Sequence, residues 1–195
     1  MKKIIAVIIL LLGVGSLIAG VTIYVSKIKE EKRNYEELKT SIVNDYEVFK
    51  GKIESFSDQR TNIYQTLNSI AYYSDIANKY ESLISDYKKY EEIVKEIDVA
   101  SKGLKTHCQD NSFTEVDIKN KIEAFIINYE QAINYFIQDV NKLNERIKEY
   151  NNGIDNLTGT STYKKLEEFT TEYTEYVDIN NDGIFNGVEL EESNG

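Results

Sequence analysis

Residues 28–63 read IKEEKRNYEELKTSIVNDYEVFKGKIESFSDQRTNI, and an apolar residue recurs in this stretch at every seventh position. The series continues beyond the stretch and comprises Ile28, Tyr35, Ile42, Phe49, Phe56, Ile63, Ile70, Ala77 and Ile84. A period of seven sustained over this length predicts helices wound into a left-handed supercoil. The second set of seam positions, three or four residues after the first, is interrupted by polar residues that include Asp45, Lys52 and Gln59. The seam is therefore irregular and wider than the seam of a two-stranded zipper. The pattern therefore favours one helix of a hairpin or of a small bundle.

The first helix is predicted to run from Ser26 to Lys102. Its weakest points are Gly51 and residues 55–62, where a break would convert a hairpin into a three-helix bundle. The unbroken phase of Phe49, Phe56 and Ile63 favours continuity. Gly103 is suited to a helix C-terminus, because glycine readily adopts the left-handed conformation found there.

The second helix is predicted to begin at the N-cap signature of Thr114 and Asp117 and to end near Tyr150, before the sequence NNG at 151–153. Its apolar positions have cleaner helical spacing than those of the first helix. They are Ile118, Ile122, Phe125, Tyr129, Ala132 or Ile133, Phe136, Val140, Leu143, Ile147 and Tyr150. A short turn between two such helices implies antiparallel packing, so residues 26–153 are predicted to form a long, coiled-coil-like helical hairpin. The shorter second helix leaves Ile28–Ile63 uncovered, which predicts self-association or a protein partner.

The composition supports long helices and excludes several classes of protein. The chain of 195 residues contains no proline, whereas ordinary usage would give roughly ten, and proline breaks helix interiors. Its 23 Lys and Arg against 33 Asp and Glu give a net charge of −10. Such a charge argues against a nucleic-acid-binding protein, which needs a basic face. With one cysteine, the chain can form neither an internal disulfide nor a cysteine-based zinc site.

The N-terminus has the pattern of a membrane segment. After two lysines, the run from Ile4 to Val25 carries no charge and would form a helix of about 33 Å, which can span a bilayer core of about 30 Å. A cleaved signal peptide is the alternative, but its apolar region is shorter and ends in a small-residue site. We therefore expect residues 1–25 to form a single transmembrane helix. Positive charges flank both ends, and a short N-terminal tail favours export, so the predicted location is the cell membrane with the C-terminal part extracytoplasmic.

A calcium-binding pattern lies near the C-terminus. Residues 178–189 read DINNDGIFNGVE and match D-x-[DN]-x-[DN]-G-x5-E at every specified position. Ca²⁺ prefers several hard oxygen ligands, and Gly183 permits the sharp turn that brings them together. The predicted ligands are the side chains of Asp178, Asn180 and Asp182, the backbone carbonyl of Ile184, Asn186 directly or through water, and both carboxylate oxygens of Glu189.

This loop resembles those of the EF-hand family and, equally, the calcium loops of bacterial dockerin modules. The resemblance implies Ca²⁺ as the cofactor and a helix that enters the loop. Leu166, Phe169 and Tyr173 have helical spacing, so that helix is expected at 162–177. Residues 160–195 are thus predicted to form an EF-hand-like calcium-binding tail. These families usually carry paired loops, and the single loop here implies weak binding.

No motif for catalysis is present, and an enzyme is not expected. The pair His107–Cys108 falls in the predicted exposed turn between the two helices, and its thiol is expected to have no catalytic or metal-binding role. The 15 tyrosines are expected to pack along the seam, with an exposed stripe of Tyr72, Tyr73, Tyr87 and Tyr90 as the alternative. The predicted function is a membrane-anchored, calcium-binding coiled-coil scaffold or adhesion-type interaction protein. The alternatives are a sensor input domain that couples calcium or a ligand to the membrane helix, and a tether facing the cytosol. Neither a nucleic acid nor a small-molecule substrate is expected.

Overall fold

The computed structural model describes residues 2–72, 75–109, 113–156 and 164–178, with side chains described from Ile23 onward. Within these ranges the regular structure consists of three helices, α1 (Lys2–Asn68), α2 (Asp75–Gln109) and α3 (Val116–Asp155). The prediction of an all-helical protein agrees with these elements, whereas the two-helix hairpin is wrong. The chain divides into two units, Met1–Ser41 and Ile42–Gly195.

A transmembrane helix at residues 1–25 is not supported. Among the residues that the structure describes, no helix is long and apolar enough to cross a membrane. The described side chains of α1 begin at Ile23 and soon include charged residues, among them Lys27, Lys29 and Glu30. The predictions of a transmembrane helix, of a membrane protein and of a single-pass location in the cell membrane are therefore not supported.

A turn after α1 divides the predicted first helix. The Ser69 N–H donates to the carbonyl of Thr66 (3.2 Å), and the Tyr72 N–H donates to the carboxylate of Asp75 (3.1 Å), the first residue of α2. The break therefore lies beyond the two weak points that the sequence indicated. Gly51 lies inside α1 and has open space around it, so this glycine gives the helix no reason to end.

The turn also shifts the heptad register. In α1 the predicted series is buried from Ile42 to Ile63, whereas Ile28 is exposed and Tyr35 is half-buried. In α2 the buried side chains, Ile76 and Leu83, come one residue earlier than the predicted Ala77 and Ile84, which are half-buried. The seven-residue spacing therefore continues through two separate helices, but the buried positions of α2 lie one residue earlier in the heptad than the spacing predicts.

Contacts within Ile42–Gly195 define an up-down-up bundle. Positions that advance along α1 meet positions that recede along α2 and advance along α3. The contacts between α1 and α2 include Lys52–Glu96 (2.9 Å) and Gln59–Asp86 (3.1 Å), and those between α1 and α3 include the Phe49–Phe125 ring pair (4.9 Å) and Arg60–Asp139 (2.8 Å). The predicted antiparallel packing of the last two helices is present as the α2–α3 pair, whose rings Tyr90 and Phe136 lie 5.1 Å apart.

A buried carboxylate joins all three helices. Asp139 of α3 is 1% exposed and accepts hydrogen bonds from Arg60 Nε (2.8 Å), the Tyr64 hydroxyl (2.8 Å) and the Tyr90 hydroxyl (3.3 Å). The Tyr87 hydroxyl donates to its backbone carbonyl (2.9 Å). Burial and the adjacent Asp139 charge raise the pKa of both Tyr87 and Tyr90. Both tyrosines are fully buried, so the seam-packing interpretation holds for them and the exposed-stripe alternative is wrong at these two positions. Tyr72 is exposed, and Tyr73 lies outside the described residues.

The end of α2 also differs from the sequence prediction. Gly103 lies inside α2, where the carboxylate of Asp45 packs so closely that a Cβ would overlap it. His107 and Cys108 belong to the same helix, and His107 Nε2 lies 3.6 Å from Asp45 Oδ2. Cys108 is fully buried, and this burial raises the pKa of its thiol to about 12. The predicted exposed turn is therefore wrong for this pair of residues.

The core of α3 is confirmed. Every apolar position predicted for the second helix is buried, and both Ala132 and Ile133 contribute. The helix begins after Glu115, which makes no side-chain capping bond, and continues through the predicted stop to Asp155.

Candidate functional site

The predicted calcium loop lies outside the described residues except for its first member. Asp178 is exposed. Partial burial of Glu130 and the nearby charge of Asp178 raise the pKa of Glu130. Asn180, Asp182, Ile184, Asn186 and Glu189 are not described. In the described part of the chain, no group of three or more His, Cys, Asp or Glu could hold a metal ion. The prediction of a calcium-binding, EF-hand-like or other metal-binding protein therefore has no support in the described residues.

Residues 164–178 form an extended segment, here called the strap, that lies in the groove between α2 and α3. The helix predicted at 162–177 is wrong for the described residues of that range. Along the strap, Leu166 meets Asn151 and Val177 meets Asn134, so the strap runs antiparallel to α3. The groove and its strap form the candidate functional site.

Three asparagines of α3 bind the strap by its backbone. Each side-chain amide donates to the carbonyl, and accepts from the N–H, of one strap residue. The pairs are Asn151–Leu166 (2.8 and 2.9 Å), Asn144–Phe169 (2.9 and 2.8 Å) and Asn134–Val177 (2.9 and 2.9 Å). These six hydrogen bonds give the strap the kind of partners that a neighbouring strand would give it in a sheet.

The spacing of the asparagines sets the path of the strap. The seven residues from Asn144 to Asn151 rise roughly 10 Å along a helix, which equals the length of the three extended residues from Leu166 to Phe169. From Asn134 to Asn144 the helix rises roughly 15 Å, whereas eight extended residues would cover roughly 26 Å. The excess is taken up by bends at Glu172 and Glu175.

Two aromatic side chains anchor the strap. Phe169 is 7% exposed, and its ring centroid lies 5.7 Å from that of Tyr87. The ring of Tyr173 packs edge-on against Phe136 at 5.8 Å. Burial, together with surrounding carboxylates that include Asp98, raises the pKa of Tyr173 to about 12. The hydrophobic contribution of the strap is thus concentrated at two positions four residues apart.

Polar contacts flank these anchors on α2. The Thr171 hydroxyl donates to Glu91 Oε1 (2.6 Å), and the Tyr80 hydroxyl donates to the Glu167 carbonyl (2.9 Å). Burial raises the pKa of Tyr80. Both contacts come from side chains of α2, so this helix lines one side of the groove along the strap.

Ion pairs fix the register of the strap at two points. Lys148 of α3 lies 3.3 Å from Glu168, and Lys95 of α2 lies 3.9 Å from Glu172. The strap itself carries two lysines against four glutamates and one aspartate. Its net charge of 2 − 5 = −3 complements the lysines on the rim of the groove. These exposed pairs contribute little stability individually, but they distinguish one register from another.

The chain gave no match to any protein-family model, curated protein or solved structure. The inference of function therefore rests on the geometry of the groove.

The sequence did carry a signal for this site. Asparagine is a poor residue for helix interiors because its side chain competes for backbone hydrogen bonds. Asn134, Asn144 and Asn151 lie within α3 and are half-buried at the edge of its apolar face. Their half-burial is seen only in the structure, so the sequence marks these asparagines as unfavourable in a helix without identifying the segment that they bind.

Proposed function

We propose that this protein is a non-enzymatic interaction or scaffold protein whose α2–α3 groove binds an extended polypeptide segment. The observation that carries the proposal is the set of two-sided hydrogen bonds from Asn134, Asn144 and Asn151 to the strap backbone. In this structure the bound segment is the chain's own strap.

The chemistry of the groove fits this role. A carboxamide carries both a donor and an acceptor, so a single asparagine can satisfy both backbone groups of one extended residue whatever its side chain. Phe169 and Tyr173 then supply side-chain selectivity, since their rings contact Tyr87 and Phe136. Backbone bonds for affinity combined with pockets for alternate side chains are the usual means of recognising extended peptides.

The test uses the full chain with Phe169→Ala and Tyr173→Ala, which weaken the hold on the internal strap. A fluorescent peptide with the sequence of residues 164–178 is titrated into this variant, and its anisotropy is followed. We expect saturable binding, because the peptide restores both aromatic anchors and all six asparagine bonds.

Adding Asn144→Ala removes two hydrogen bonds worth about 1 kcal/mol each. The Kd is therefore expected to rise about 30-fold. Asn141→Ala is the matched control, because Asn141 is exposed on the same helix. Equal effects of the two substitutions, or no saturable binding at all, would contradict the proposal.

A further inference from the structure

We propose that the groove also receives the strap of a second copy of this chain, so that two chains associate by exchanging residues 164–178. This inference rests on the proposed function of the groove, and it names the partner.

The contacts of the strap do not depend on which chain supplies it. Its described hydrogen bonds and ion pairs lead to α2 and α3, as at Glu91, Lys95 and Asn144, or run within the strap from Tyr173 to Thr171. A strap from a second copy would make the same bonds, since both grooves are identical. Reciprocal exchange of an identical element is a low-cost route to a dimer.

The strap can detach without opening the bundle. Among its residues only Phe169 is buried, and most of its side chains are exposed. Segments with few buried apolar contacts have the lowest local stability in a fold. Release of the strap leaves the core residues of α1, such as Phe49 and Ile63, in place, because the described contacts of the strap involve α2 and α3.

The chain length permits the exchange. Eight residue steps separate Asn156 from Lys164, and an extended chain of that length reaches roughly 27 Å. This reach is about three times the distance of 8–10 Å between the axes of packed helices. A second bundle packed beside the end of α3 is therefore within range of the strap.

Protein concentration decides between the two arrangements. A short connection holds the internal strap at an effective concentration on the order of 1 mM. The exchanged form is expected to grow as the protein concentration approaches that value. An irreversible crosslink accumulates the exchanged form even where its population is small.

The experiment exploits the two ion pairs as register markers. Single-cysteine full-length chains are made in a Cys108→Ala background, with Lys148→Cys or Lys95→Cys in the groove and Glu168→Cys or Glu172→Cys in the strap. Groove and strap variants are mixed pairwise at about 0.1 mM and treated with a short bis-maleimide. Denaturing electrophoresis separates crosslinked dimers from monomers.

Matched pairs test the exchange against random collision. Lys148→Cys with Glu168→Cys, and Lys95→Cys with Glu172→Cys, are expected to give on the order of tenfold more mixed dimer than the mismatched pairs. Equal yields from matched and mismatched pairs would overturn the exchange. Chains that carry both cysteines of a matched pair report docking within one chain.

The two proposals fail in different ways. If the double-cysteine chains crosslink internally while mixed dimers stay at the mismatched level, exchange is refuted and the groove proposal stands. If matched double-cysteine chains crosslink internally no better than mismatched ones, the strap does not occupy the groove in this register, and both proposals fall.

Discussion

Truncation of Phe169 is the most direct perturbation of the strap. The side chain is 7% exposed and contacts the ring of Tyr87 at a centroid distance of 5.7 Å. Replacement of a buried phenylalanine by alanine typically costs 3–5 kcal/mol. Because this site lies at the edge of the bundle and can fill with water, we take about 3 kcal/mol, which corresponds to a change of about 100-fold in the docking equilibrium.

Amide hydrogen exchange measures this equilibrium one residue at a time. In the docked strap the N–H groups of Leu166, Phe169 and Val177 each donate to an asparagine, so they exchange only when the strap opens. In Phe169→Ala we expect all three amides to exchange about 100-fold faster. The amides around Leu143 in the middle of α3 should keep their wild-type rates, since the bundle core is intact.

Thr170→Ala provides the control, because Thr170 is the exposed neighbour of Phe169 and its truncation should leave the three rates within a factor of about two. Two outcomes would refute the reasoning. Unchanged rates at Leu166 and Val177 would mean that the strap does not dock as one unit. Equal acceleration in the centre of α3 would mean that Phe169 supports the whole bundle rather than the strap.

Two further measurements address the core and the pH dependence. Asp139→Asn should lower the free energy of unfolding in urea by about 3 kcal/mol, because Arg60 loses its buried counter-charge, whereas Lys52→Ala at an exposed pair should change it by less than about 1 kcal/mol; equal effects would contradict this account. The pKa of Tyr173 is about 12 in the folded protein and about 10 when unfolded. The stabilisation from its neutral form is therefore complete below pH 10 and lost between about pH 10 and 12; the tyrosinate absorbance titration of wild type minus Tyr173→Phe should show one group titrating near 12, and a midpoint near 10 would be inconsistent with burial.

The sequence predicted α3 well because its pattern has a single physical cause. Apolar residues at Ile122, Phe125 and Tyr129 recur with the helical period, and the whole series is buried in the bundle. The position that the periodicity could not explain is Asp139, which interrupts the apolar face. A carboxylate there requires donors from other helices, and periodicity within one helix contains no information about Arg60 or Tyr90.

The turn that follows α1 from residue 69 was missed because the heptad spacing passes through it. Ile70 lies in the turn and is nevertheless buried, so its apolar character continues the series without being part of a helix. The next predicted position, Ala77, is displaced from the core by one residue. The spacing alone cannot reveal that α2 has a different heptad register from α1, because apolar residues occupy the expected seventh positions both before and after the turn.

The strap was predicted as a helix because Leu166, Phe169 and Tyr173 are separated by three and four residues. Residue propensity pointed the other way, since the stretch FTTEYTEYV at 169–177 is rich in β-branched and aromatic residues, which favour extended structure. The three-and-four spacing arises because both aromatic anchors face one groove across a bend. Propensity was therefore the better guide to local structure than periodicity.

The asparagines explain how an all-helical groove can hold an extended chain. A helix uses its backbone N–H and C=O groups internally, so it has no free edge to offer an extended segment, unlike a sheet. Each of Asn134, Asn144 and Asn151 places a donor and an acceptor at the helix surface and pairs with both backbone groups of one strap residue. Substitution by leucine would retain the size of the side chain but leave two strap backbone groups unpaired, whereas aspartate would supply only acceptors. The asparagines of α3 therefore hold the strap by its main chain, and the contact of Phe169 with Tyr87, together with the ion pairs of Lys148 and Lys95, fixes its register.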